Sequence, residues 1–185
     1  MNDFINRLLY RYNDSSYIIK NKARFILYLC LIQIFIVAPF IILFNIYQDL
    51  HNSFYNYSIR AGVVIPVLIS MCITAIVIIL LIKGFFIISG HIFFIICLLT
   101  PWTIIFLVRS ELISRLNTIV FVTAILSMMP VIVLRKKKII IFYTAINIGL
   151  LLLFMLFFTD EMNISPNSFT DYISDNILAF LSVGI

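Results

Sequence analysis

Five uninterrupted apolar runs dominate this chain of 185 residues, and each is long enough to cross a bilayer as a helix. They cover residues 25–47, 61–82, 85–108, 116–134 and 139–158. A hydrocarbon core about 30 Å thick takes about 20 apolar residues in a helix. A further run starts near residue 172 and reaches Ile185. The runs are continuous rather than alternating, so they read as helices and not as strands of a barrel. The expected fold is all-α, a polytopic membrane helix bundle with five full spans and the start of a sixth over 172–185. Composition agrees: 63% of residues are hydrophobic and 11% charged, against roughly 45–50% and about 25% in soluble domains.

Polar residues punctuate the runs where turns are needed. Lys83-Gly84 separates the second run from the third, and glycine lets the chain turn tightly there. Arg135-Lys136-Lys137-Lys138 separates the fourth from the fifth. A polar loop holding Asp160, Glu161, Asn163, Pro166 and Asn167 follows, and Ser168 with Asp171 has the spacing of a capping box for the last helix.

Orientation follows from the basic residues. With the N-terminus in the cytoplasm, ten of the 13 Lys and Arg fall on that side: Arg7, Arg11, Lys20, Lys22, Arg24, Lys83 and 135–138. Arg60, Arg109 and Arg115 fall outside. This is a positive-inside pattern. The basic residues form no stripe on a water-facing element, so no nucleic-acid partner is expected. The lipid bilayer is the expected partner, in a bacterial inner membrane, with a homo-oligomer as the expected assembly. The last run re-enters from outside and is too short at Ile185 to reach the far surface. The chain is therefore expected to be a fragment whose final helix continues into the cytoplasm.

Residues 1–24 form a cytoplasmic amphipathic and basic segment. Phe4, Ile5, Leu8, Leu9 and Tyr12 recur at helical spacing, which predicts a short helix lying on the membrane face. Asn13-Asp14-Ser15-Ser16 breaks it and caps a second helix that enters the bilayer at Phe25.

Pro39, Pro66, Pro101 and Pro130 each sit inside a different span, where proline removes a backbone hydrogen bond and kinks the helix. Pro39, Pro66 and Pro101 share the outward half, which predicts an outward-facing pocket bounded by the first three helices. His91 is an ionisable group within the third span. It follows the small pair Ser89-Gly90, which favours a neutral imidazole bonded to a neighbouring helix. Gln33, Thr74, Thr123, Ser127, Thr144 and Asn147, with the small pair Ala145 and Gly149, read as helix-packing devices. Trp102, Arg109, Glu111 and Asp175 are candidates for contacting an external ligand, with an aromatic belt and solvated loop charges as the alternative. Cys30, Cys72 and Cys97 lie within apolar runs, lack metal-ligand spacing and read as small buried hydrophobes. No catalytic motif is visible, so no enzyme activity, catalytic residue, metal or cofactor is expected.

The stretch YNDSSYIIKNKARFILYLCLIQIF runs from an acidic turn through a helix to Lys-Ala-Arg and straight into the first span. It resembles the start of the multi-helix membrane anchors of bacterial signalling proteins. Such anchors precede methyl-accepting chemotaxis output modules, class III adenylate cyclase domains, and phosphatase or diguanylate cyclase domains. The closing DNILAFLSVGI is similar to the beginning of their last span. The resemblance implies the sensory or anchoring region of a chemoreceptor-like protein, with a cytoplasmic signalling module downstream of Ile185. The alternative is a small membrane transporter or channel subunit, with His91, Gln33 and Asn147 as its thin polar path.

Overall fold

The computed structural model describes residue 5 and residues 7–51, 57–107, 119–132, 137–158 and 174–182. Among them the chain is helical apart from short turns, with no strand. Helix α1 spans Tyr17–Ile32, a π-helical turn follows at Gln33–Val37, and α2 spans Ala38–His51. Then come α3 (Tyr57–Ile82), α4 (Phe86–Leu107), α5 (Ile119–Ile132) and α6 (Lys137–Phe158). Residues 174–182 form a last helix, α7.

Four helical stretches among the described residues are long and apolar enough to cross a membrane: Tyr17–Tyr47, Gly62–Ile82, Phe86–Leu107 and Lys138–Phe158. The run expected at 116–134 is represented by α5, whose 14 residues fall short of that standard; its flanks lie outside the described residues. The capping box at Ser168 and Asp171 also lies outside them.

The Ser16 hydroxyl opens α1 by accepting a hydrogen bond from the Ile19 N–H at 3.4 Å. Residues 17–24 thus belong to the same helix as the apolar run that begins at 25. The segment before it departs from the surface-lying helix expected from its pattern. Ile5, Leu9 and Tyr12 are 3%, 1% and 3% exposed, so the apolar stripe turns into the protein. The Tyr12 hydroxyl donates to the Leu81 carbonyl at 2.8 Å, and Arg11 Nη1 donates to the Lys83 carbonyl at 2.9 Å. The C-terminal carbonyls of a helix lack intrahelical donors. The Gly84 N–H already caps Leu81 at 2.9 Å, and the N-terminal segment adds two further donors where α3 runs out, which tie it to the turn. Gly84 closes the same turn at φ 92°, a region closed to most side chains.

Helices α3 and α4, joined by this turn, form the most extensive pairing. Ser89 and Gly90 are both buried on α4, where small side chains let helices approach closely. Helix α6 meets α4 differently, through large rings. Phe106 packs edge-on against Phe154 at 5.8 Å, and Phe94 edge-on against Tyr143 at 5.0 Å. Phe180 of α7 is fully buried in the same core. Cys30 is buried as its setting implies, but Cys72 is exposed on α3, among exposed Ile and Leu that form an apolar outer face.

Candidate functional site: a pocket at the π-turn

The first long helix is not a uniform rod. At Gln33–Val37 it widens, and the Ala38 N–H bonds to the Gln33 carbonyl five residues back. Pro39 explains the widening. A proline ring clashes with the carbonyl four residues earlier, here Phe35, and has no N–H to offer it. Opening the turn just before the proline moves that carbonyl aside. Widened turns of this type occur often at functional sites.

A pocket of about 260 Å³ lies against the widened turn. Its wall on the first helix is formed by Gln33, Val37 and Ala38. Val67 and Ser70 of α3, Cys97 and Pro101 of α4, and Ile125 and Met128 of α5 complete it. Pro101 lines the pocket directly, while Pro39 and Pro66 each adjoin a lining residue. Both Pro66 and Pro101 lie inside their helices. Around Pro101, Thr100 and Thr103 donate to the Ile96 and Leu99 carbonyls at 2.7 and 2.8 Å. Both are bonds to the carbonyl four residues back on the same helix, and neither reaches the Cys97 carbonyl that Pro101 leaves without its usual donor. Pro130 falls near the end of α5.

The pocket is apolar apart from one cluster. Gln33 Nε2 is 3.5 Å from Ser70 Oγ, and Cys97 Sγ is 3.6 Å from Gln33 Oε1. Ser70 donates its own proton to the Val67 carbonyl at 2.7 Å. The amide of Gln33 offers two N–H donors and a carbonyl, and its contacts are the long ones of the set. It therefore retains hydrogen-bonding capacity toward the cavity. Three lining residues, Ile32, Val37 and Met128, are 45%, 44% and 48% exposed, so the mouth is apolar.

A second polar group joins α4 to α6. His91 Nδ1 and the Tyr143 hydroxyl are 3.2 Å apart, and their rings stack at 6.3 Å. One turn further along α6, Asn147 accepts from the Trp102 indole N–H at 2.7 Å and donates to the Tyr143 carbonyl at 2.8 Å. Trp102, set by the sequence in an outer ligand-contacting group or aromatic belt, is 1% exposed. Burial obliges its N–H to find a partner, and Asn147 meets that need. Asp175 is exposed on α7. Arg109 and Glu111 lie outside the described residues. Thr144, expected to serve packing, is buried with its hydroxyl unpartnered among the described residues. Gly149 has open space where a Cβ would stand, and Ala145 is exposed, so this small pair holds no close neighbour among the described residues.

No family model matches the chain, and neither does any curated protein or solved structure.

The geometry sorts the polar residues into two sets. Gln33, Ser70 and Cys97 face a cavity, whereas His91, Trp102, Tyr143 and Asn147 bond one another across a helix contact. His91 and Asn147 both bond to Tyr143, whereas Gln33 bonds to Ser70 and Cys97, so the described residues do not string the three into one path. Ser70 and Tyr143 escape a sequence reading. Tyr143 sits four residues before Asn147 on one helix face, and Ser70 precedes Thr74 by the same spacing; these are the signals available for them. Among the described residues no cluster of His, Cys, Asp and Glu is placed to hold a metal.

Proposed function

We propose that the chain is a multi-pass membrane domain, N-terminus inside, that senses a lipid-soluble molecule and relays its presence through helix packing. The setting is a bacterial inner membrane, and the output is read by a cytoplasmic signalling module. The observation that carries this reading is the pocket at the π-turn. It joins four helices at the one place where the first of them departs from regular geometry. Its apolar mouth suits a ligand arriving sideways from lipid, and Gln33 supplies one polar contact. Few, well-placed polar groups in an apolar cavity are the usual composition of a small-molecule site. A ligand seated there touches α1, α3, α4 and α5 together. It favours whichever packing of those helices fits it better, and that differential affinity shifts the population.

The test uses the purified chain in lipid nanodiscs. Organic extraction and mass spectrometry compare it with Val67→Phe, which fills the pocket. The expected result is an apolar compound held by the parent and lost from the variant. Spin labels at the basic ends of α1 and α4 then report their separation with and without that compound. Identical extracts overturn the binding site. Ligand retention with unchanged separations overturns the sensing role alone.

A further inference from the structure

The N-terminal segment encloses a second cavity, unrelated to the π-turn. A cleft of about 520 Å³ opens where this segment meets the start of α4. Tyr12, Ser15 and Ile19 form one wall. Gly84, Phe85 and the first residues of α4, Phe86, Ile87 and Ile88, form the other. Phe85, Ile87 and Ile88 are 51%, 52% and 51% exposed, so half of each apolar side chain is open. Two cations adjoin its lining residues: Arg11 precedes Tyr12, and Lys83 precedes Gly84. Arg11 lies against Gly84, its Cδ 3.6 Å from where a Cβ would be, and reaches the Lys83 carbonyl at 2.9 Å. Lys83 is exposed and has no side-chain hydrogen bond or ion pair among the described residues. Arg11 spends its hydrogen bonds on a carbonyl and a phenol, so no described carboxylate neutralises it. Asp14, which adjoins Ser15, makes no ion pair with either cation among the described residues.

We propose that this cleft binds one anionic phospholipid, its phosphate held between Arg11 and Lys83 and an acyl chain lying along Phe85, Ile87 and Ile88. The inference rests on the membrane embedding proposed above but not on the π-turn pocket. Cations beside an apolar wall match the two halves of that molecule. Soluble phosphate satisfies only the cations, and a zwitterionic lipid cancels the attraction with its own cation. The Ser15 hydroxyl adds a donor on the facing wall.

The experiment titrates the full chain in neutral detergent with phosphatidylglycerol, phosphatidylcholine of the same acyl chains, and glycerol 3-phosphate, followed by native mass spectrometry. Each cation near an anionic headgroup contributes about fivefold to affinity. Phosphatidylglycerol is expected to bind at one site, well above phosphatidylcholine. Lys83→Gln lowers that preference about fivefold, and adding Arg11→Gln removes it. Lys138→Gln, a neutralised cation on α6, leaves it unchanged. Hydrogen exchange over residues 7–12 verifies that the segment stays docked in Lys83→Gln. Equal binding of both lipids, equal loss in Lys138→Gln, or glycerol 3-phosphate binding as tightly as the lipid overturns the proposal. A chain that remains dispersed and folded in buffer without detergent fails the membrane reading instead.

Discussion

At the scale of single residues, the polar groups between α4 and α6 show how unequal buried hydrogen bonds are. Trp102 and Asn147 satisfy each other, and Asn147 also reaches the Tyr143 carbonyl. Removing Asn147 strands a buried indole N–H. In membrane proteins such bonds are worth about 0.6 kcal/mol on average and up to about 1.7. A double-mutant cycle of Asn147→Leu with Trp102→Phe, followed by unfolding in mixed micelles, is expected to give a coupling near the upper end of that range. Thr144 is the opposite case, since its buried hydroxyl carries a desolvation cost with no partner among the described residues to offset it. Thr144→Val keeps the shape and is expected to raise stability by about 1 kcal/mol in the same assay. Tyr12 links a residue to pH. Burial pushes its phenol from the ordinary value up to about 12, because the charged form is disfavoured where the neutral hydroxyl donates to Leu81. Its contribution to docking is complete below pH 10 and is lost as pH rises through about 12. A spin label at Arg7→Cys is expected to gain mobility over that interval, and Tyr12→Phe removes the transition.

Among the elements, the first helix carries the most consequence. Its π-turn inserts one extra residue, which rotates everything after it by about 100° relative to a regular helix. That rotation brings Ala38 and Ile41 to the pocket wall. Pro39→Ala removes the clash that widens the turn and restores an N–H to the ladder. The variant is expected to be more stable, by about 1–3 kcal/mol, and to lose the pocket ligand as α2 turns away. Unfolding and extraction of the same preparation check both outcomes. Retained ligand in a stabilised variant shows that packing from α3 and α4, not proline, holds the turn open. The α3–α4 turn is a second such case. Gly84 supplies the positive φ, but the turn is completed by donors from the N-terminal segment, some seventy residues earlier in the chain.

Across the whole molecule, the proposed orientation rests on the basic residues of the N-terminal segment, Lys83 and 135–138, which the sequence alone assigns to one side. Reporter fusions to the N-terminus and to the Lys83 turn are expected to report the cytoplasm, and fusions near Arg60 the exterior. An external N-terminus inverts every element and removes the basis for the anionic-lipid cleft. The helical class was legible in the sequence, as were the boundaries at Ser16 and Gly84. Twenty-residue apolar stretches have few alternatives in lipid, and Gly84 and Ser16 mark their own boundaries. The apolar stripe of the N-terminal segment was legible too, but not its destination. A hydrophobic face is buried equally well in lipid or in protein, and here the carbonyls of Leu81 and Lys83 accept donors from Tyr12 and Arg11 that hold the segment to the protein. The same holds for the polar residues. Their presence in apolar helices could be read directly, whereas their sorting into a cavity group around Gln33 and a helix-joining group around Asn147 depends on helix rotation. Rotation has little imprint on sequences that are apolar all round, because no face is distinguished by polarity. It was set instead by ring packing between α4 and α6 and by the extra residue at the π-turn.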